Sequence, residues 1–456
     1  MIKAITGTKD ILPADIPRWN HLENIIRNVF ANFNYKEIRT PVFEETSLFK
    51  RSVGEETDIV SKEMYTFLDR SETSITLKPE MTAAVVRAFV EHSLGAQQSL
   101  VKLFYISPMF RQERPQAGRF RQFHQFGAEA LGSKSPLLDT EMIQMSYSIL
   151  KSVGLKELSV RINSLGMPDA REKYKKKLKE YLSDKKNSLS EESRKRLETN
   201  ILRIFDSKEK QDQKILKDAP VLIDYIDSES KEDFETVKET LTKLKIPFEI
   251  DPALVRGLDY YTKLTFEIIS GSVGSQSALV GGGRYDLLVE SLEGKPTPAT
   301  GFAAGIERIL LACENENSFT LRDQQIDVYL IRLENELEKE ASLFVSELRK
   351  KSLSVEMDYL QRSVKAQMRE ANKMNARVTL FIVGDNYRNG KANVKEMINS
   401  EEKLLQIKDI NSNNFTSLEL KNWLESENNI CGYMSCKNFV KTGFKYCKDH
   451  DKYIPK

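Results

Sequence analysis

Glycine disappears between Pro168 and Lys245, where Lys and Glu crowd in and Tyr174, Leu178, Tyr181 and Leu182 keep helical spacing. On both sides of this stretch, short apolar runs punctuated by turn residues read as strands. The chain therefore reads as one domain over residues 1–320, cut into two halves by a helical insertion at about 168–245. The charge run Lys173 to Lys186 is expected to be a solvated helix face. At 456 residues the chain is too long for a typical single core. Hydrophobic residues at 40% and charged residues at 30% fit a soluble globular protein and exclude a disordered one. The formal net charge is +2, so a nucleic-acid partner would have to be held by local patches. No apolar run approaches membrane-spanning length and Met1 to Ile5 lacks a signal-peptide core, so no membrane association is expected. Of four cysteines, three fall in the last 26 residues, which argues against a secreted disulfide framework and for a cytoplasmic chain.

In the first half, Asp15 is placed to cap a helix carrying Leu22, Ile25, Ile26, Val29, Phe30 and Phe33 on one stripe, ending near Asn34. Tyr35 to Thr40 reads as a strand stopped by Pro41. Glu63 to Thr76 reads as a hairpin turning at Asp69-Arg70-Ser71. Leu77 to Thr82 leads into a helix through about Phe89, and Val101 to Ser107 and Gln122 to Ala130 read as strands around a polar loop. Strands joined this way predict a mainly antiparallel sheet, unlike a βαβ dinucleotide fold. Glu314 to Ser318 reads as a linker. Strand and helix then alternate in an α/β module over residues 325–425: Ile326 to Ile331, a helix from Asn335 (its cap) to Lys350, Ser354 to Tyr359, a helix ending near Met374, and Val378 to Val383.

Three distant segments carry the chemistry. Met109 to Gln116 with Arg121 to Gln125 brings Arg111, Glu113, Arg114 and Phe123; Val255 to Tyr261 brings Arg256, Asp259, Tyr260 and Tyr261; Gly301 to Arg308 ends on Arg308. Guanidinium groups are planar, permanently charged and suited to paired hydrogen bonds with phosphate or carboxylate. Convergence of the three would make a site for a polyanion beside a small polar molecule. Gly281-Gly282-Gly283-Arg284 lacks the Gly-Lys-Ser/Thr ending of a phosphate loop. Its glycines are expected instead to let backbone pass beside ligand or sheet, with Tyr285 pointing inward.

Together these strings resemble the histidyl-tRNA synthetases, class II aminoacyl-tRNA synthetases, over about residues 1–425. The helix, strand and Pro41 at the start look like the family's first motif, which builds a dimer interface. The resemblance implies an α+β catalytic domain whose mainly antiparallel sheet is flanked by helices, the helical insertion, and a C-terminal α/β anticodon-binding domain. It implies activation of L-histidine with ATP and Mg²⁺, then transfer to tRNA-His, by a homodimer. Arg111 would bind the α-phosphate, Phe123 would stack on adenine, Glu113 would belong to the same nucleotide site, and Arg308 would grip the γ-phosphate. Arg256 would neutralise the substrate carboxylate and α-phosphate. Tyr261, Tyr285 and Glu129, with Tyr260 beside them, would meet the imidazole, and Glu80, Thr82 and Gln125 the α-amino group. Arg114 and Gln116 would meet the 5′ end of the tRNA. Arg362, Lys365 and Arg369 either contact anticodon phosphates or form a solvated face. The non-catalytic alternative is a regulatory subunit of ATP phosphoribosyltransferase, which shares the core but lacks the C-terminal module.

The tail, residues 429–456, departs from the family pattern. Cys431, Cys436, Cys447 and His450 read C-x4-C-x10-C-x2-H, a donor set suited to a structural Zn²⁺ in a segment too short to fold without one. Lys437, Lys441, Lys445 and Lys448 among Phe439, Phe444 and Tyr446 make a composition that could touch RNA.

Overall fold

The computed structural model describes residues 1–55, 57–115, 118–198, 201–207, 209–255, 258–276, 278–318, 325–397, 400 and 402–406. Arg256, Gln116, the chain around Trp423 and the four tail residues Cys431, Cys436, Cys447 and His450 lie outside them. The chain divides into two units, Met1–Phe319 and Thr320–Lys456. Among the described residues no helix is long and apolar enough to cross a membrane.

The first unit is built from strands β1 (Lys36–Glu37), β2 (Phe43–Glu45), β3 (Tyr65–Leu68), β4 (Ser74–Leu77), β5 (Val101–Phe110), β6 (Gln122–Leu131), β7 (Leu158–Ser164), β8 (Phe248–Ile250), β9 (Thr262–Ser270), β10 (Ala278–Arg284) and β11 (Ala299–Gly305). Eight of them form one sheet in the order β1-β5-β6-β11-β10-β9-β7-β8. Only the edge pairs β1/β5 and β7/β8 are parallel; every pair between β5 and β7 is antiparallel. The mainly antiparallel expectation is met. Strands β2, β4 and β3 make a separate small sheet, where Asp69 Oδ1 closes the hairpin by accepting from the amides of Ser71 and Thr73 at 2.8 and 2.9 Å.

Side-chain alternation splits the large sheet into two faces. Phe104, Phe126, Ala128, Phe266 and Phe302 point into a core shared with Leu22, Ile25, Ile26 and Phe30 of helix Ile16–Asn32 and with Met142, Ile143 and Ile149 of helix Pro136–Ser152. Gln125, Gly127, Glu129, Gly301 and Ala303 alternate with these residues along β6 and β11. Small and polar residues there leave a hollow against the sheet. Asp15 does not cap the first helix: it is already in the α region and makes no side-chain cap bond, while Pro17 occupies the first turn.

The insertion has its own core of Tyr174, Leu178, Leu182, Leu189, Leu197, Ile204, Leu222 and Ile226. Buried Asp212 organises it by accepting from the hydroxyls of Ser190, Ser193 and Ser207, each at 2.6 Å. The insertion is shorter than composition suggests. Helix Ser228–Lys243, capped by Asp227, sends Phe234, Val237 and Leu241 into the main core. Its Lys and Glu residues mark the solvent side of a core helix. Nor is the stretch from Glu314 a loose linker: Asn315 ends a helix and donates to the Ser272 carbonyl at 2.8 Å, and Glu316 accepts from the Lys156 amide at 2.7 Å.

The second unit holds β12 (Val328–Arg332), β13 (Val355–Met357), β14 (Val378–Ile382), β15 (Lys391–Glu396) and β16 (Glu402–Gln406), in the order β13-β12-β14-β15-β16. β12 is parallel to both neighbours, and helices Glu338–Lys350 and Val364–Lys373 complete an α/β module. Asn335 opens a single 3₁₀ turn and does not cap the helix, which begins at Glu338. Arg362 is engaged by Asp358 and, at 3.1 Å, by Glu370, whereas Lys365 and Arg369 are exposed.

Candidate active site

The hollow is a cavity of about 700 Å³. Its wall carries Arg111, Arg308, Glu80, Thr82, Gln125, Tyr260, Tyr261, Tyr285, Glu113 and Phe123, drawn from residues more than two hundred positions apart.

At one end the groups are buried and mutually bonded. Glu80 precedes helix Thr82–Glu91, and its two oxygens accept from the Thr82 and Ala83 amides at 2.7 and 2.9 Å, an anionic cap on a helix start. Burial raises its pKa against those bonds. Thr82 Oγ1 donates to Glu129 Oε1 at 2.8 Å, and the Tyr285 hydroxyl donates to the other Glu129 oxygen. Glu129 itself is only 1% exposed and stands behind the wall, reached through Thr82 and Tyr285. Burial pushes its carboxyl up to about 8, with the Tyr285 and Thr82 bonds opposing the shift. Gly301 makes room for it: a Cβ there would lie 1.8 Å from Glu129 Oε2. Tyr260 packs 4.7 Å from Tyr261 and edge-on to Tyr285 at 5.6 Å. Beside this cluster Gln125 Oε1 is buried and accepts no hydrogen bond among the described residues. A buried acceptor of that kind calls for a donor from a ligand or water.

At the other end charge accumulates. Arg111, just past β5, donates through Nε to the Pro79 carbonyl at 2.9 Å and lies 5.4 Å from the centre of the Phe123 ring. Glu113 is shared, at 3.6 Å from Arg111 and 3.1 Å from Arg119. Arg308 is placed by carbonyls, donating to Ala278 at 3.0 Å and Gly118 at 3.3 Å. Glu307, the neighbour of Arg308 in the chain, is taken by the amide and Nδ1 of His124 at 2.9 and 3.0 Å. Burial, then the nearby Arg119, lowers the Arg308 pKa. Arginines that repel one another in a cleft favour an anion between them.

Arg284 plays no part in the cavity. It is 1% exposed and ties β10 to Asp139 at 2.9 Å and to the carbonyls of Ser133 and Ser135 at 2.9 and 3.0 Å. Arg114 is exposed and not on the cavity wall. Sequence reasoning missed Arg119 and Glu267, both on the wall. A lone Glu in the apolar run Thr262–Ser270 was the available signal for the second. Among the described residues no group of three or more His, Cys, Asp or Glu converges as a metal cage.

A family model described as histidyl-tRNA synthetase matches residues 7–309, and one described as an anticodon binding domain matches residues 327–413. The histidine–tRNA ligase of Halothermothrix orenii is 47% identical over 401 residues, covering 88% of this chain and 96% of that protein. That of a Geobacillus strain is 46% identical, covering 87% and 94%. The crystal structure of apo histidyl-tRNA synthetase from S. aureus aligns with a TM-score of 0.76 at 38% identity, over 90% of this chain and 98% of that one. With these likenesses spanning both units, the chain belongs to the histidyl-tRNA synthetase family.

Proposed function

We propose that the cavity activates L-histidine with ATP and passes it to tRNA-His, making the chain a histidine–tRNA ligase. The observation that carries this reading is the cavity's division into a cationic end and a buried end of phenols and carboxylates. A carboxylate oxygen of histidine attacks the α-phosphorus of ATP, forming histidyl-adenylate as the bond to pyrophosphate breaks. The 3′-terminal ribose hydroxyl of the tRNA then attacks the acyl carbon, and AMP leaves.

Arg111 sits beside Phe123, so a phosphate on the guanidinium and an adenine on the ring share one anchor. Arg308, with Arg119 near it, takes the distal phosphates, and Arg256 takes the reacting carboxylate by the family resemblance. The unpaired Gln125 acceptor, with Glu80 and Thr82, suits an α-ammonium group. Tyr261 and Tyr285 face the imidazole, with Glu129 fixing the Tyr285 hydroxyl from behind. Mg²⁺ is ordinarily held by phosphate oxygens with one or two carboxylates. Glu113 and Glu267 on the wall suit that role, and the ion would neutralise charge on the departing pyrophosphate.

The chain is further read as a cytoplasmic homodimer, with Arg114 and Gln116 at the tRNA 5′ end and the C-terminal module at the anticodon. Arg362, held by two carboxylates, is the weakest candidate there. The tail is read as a zinc site, which predicts about one zinc per chain by elemental analysis; well under one equivalent would remove that reading. The presence of the α/β module favours the ligase over a regulatory subunit of ATP phosphoribosyltransferase. The test is charging of a tRNA-His transcript with labelled histidine and ATP. Arg256→His should nearly abolish activation while tRNA binding persists, and wild-type activation by that variant would refute the role given to Arg256.

A further inference from the structure

One residue of the cavity's buried end, Tyr261, is held from outside the catalytic core. Between β8 and β9 the chain runs past Val255, Leu258 and Tyr260, which pack on the insertion's own core, and ends at Tyr261, which belongs to that core and is 5% exposed. Tyr261 therefore has two neighbourhoods, since it also lines the cavity. Its backbone is gripped by a side chain of the insertion: Arg171, in the first turn of helix Pro168–Ser183, donates from Nη2 to the Tyr261 carbonyl at 2.6 Å. The Arg171 Nε is buried and makes no hydrogen bond among the described residues, and Asp259 attracts the same guanidinium. Gly54 has a φ of +100° and approaches so closely that a Cβ there would meet Asp259 Oδ2 at 2.4 Å. The Asp259 amide donates to the Val53 carbonyl at 3.3 Å. Asp259 is thus held by the turn at Gly54, and Tyr261, two residues on, by the insertion.

We propose that Arg171 is a positioning residue for recognition of histidine, fixing the Tyr261 carbonyl and thereby the stance of both phenols. The insertion then serves as the outer wall of the amino-acid end, and the nucleotide end does not depend on it. A solvated helix residue would leave kinetics untouched, and a purely structural one would weaken both ends together. This rests on the reading that Tyr261 faces the imidazole.

The test is pyrophosphate exchange with the full-length enzyme, measuring KM for histidine and for ATP separately. Losing one charge-assisted hydrogen bond to a backbone carbonyl predicts that Arg171→Met raises KM for histidine about tenfold with KM for ATP within about twofold. Arg171→Lys, which keeps a donor, should recover part of that loss. If Arg171→Met fails to fold, Arg171→Lys carries the test, with an expected rise of about threefold confined to histidine. Unchanged histidine KM, or equal changes for both substrates, would overturn the proposal. Tyr261→Phe separates the two claims. If it is impaired for histidine while Arg171→Met is not, the positioning role alone falls. If Tyr261→Phe keeps the wild-type histidine KM, the reading of the pocket falls and the positioning role with it.

Discussion

At one end of the cavity Arg111 and Arg119 share the carboxylate of Glu113, and Arg308 donates to the backbone carbonyls of Ala278 and Gly118. At the other end Glu80, Thr82, Glu129 and Tyr285 already bond to one another or to amides. At the first end Arg111, Arg119 and Arg308 outnumber the Glu113 carboxylate they surround, which favours an anionic ligand there. The second is preorganised: its four groups are bonded before any substrate arrives, and the buried Gln125 Oε1 beside them is left open for a donor. A triphosphate gains most from concentrated positive charge. An imidazole, distinguished from other side chains by the placing of two nitrogens, gains most from fixed donors and acceptors.

The largest expected effect lies at the cationic end. Arg111→Ala or Arg308→Ala should lower kcat/KM for ATP in pyrophosphate exchange by roughly 10²–10³-fold, the usual loss when a donor to developing charge is removed. Thermal stability should hold or rise, because mutual repulsion is relieved. A large drop in stability with near-normal ATP kinetics would reverse the comparison.

A smaller effect is expected from Glu129→Gln, which keeps the shape but upsets the Thr82 and Tyr285 bonds. KM for histidine should rise about tenfold or more, with little change for ATP. Equal damage to both substrates would mean that the two ends are not separable.

The smallest effect is one of pH. Burial raises the folded-state pKa of Glu129 from the usual carboxylate range to about 8, so the folded chain holds this proton more tightly than the unfolded chain. Stability from this group is full at low pH and is lost as pH rises through about 8. Glutamine does not titrate. Between pH 5.5 and 8.5 the wild type should therefore lose roughly 5 °C of melting temperature relative to Glu129→Gln. A constant gap would show that Glu129 is ionised throughout.

Much of the cationic end was legible in the chain because Arg111, Phe123 and Arg308 sit in continuous strings whose chemistry is local. Neighbours across the sheet were not legible. Glu267 lies opposite Gly281 on one side and Arg161 on the other, a register fixed by β-pairing far along the chain. Arg171 looked like one more cation in a charged helix, because nothing local shows that its guanidinium reaches the Tyr261 carbonyl. Composition likewise hid the division at Ile226, since a helix that packs on the core and one that packs on the insertion can both present Lys and Glu to solvent. Asp15 precedes the helix but fails as a cap because its backbone is already in the α region and its carboxylate makes no cap bond.

Amino-acid-dependent pyrophosphate exchange, run with each of the twenty amino acids and ATP, decides whether the cavity selects histidine. The two-ended cavity predicts rapid exchange with histidine and exchange near background with every other amino acid. Absence of exchange with histidine, or comparable exchange with several side chains, would contradict it.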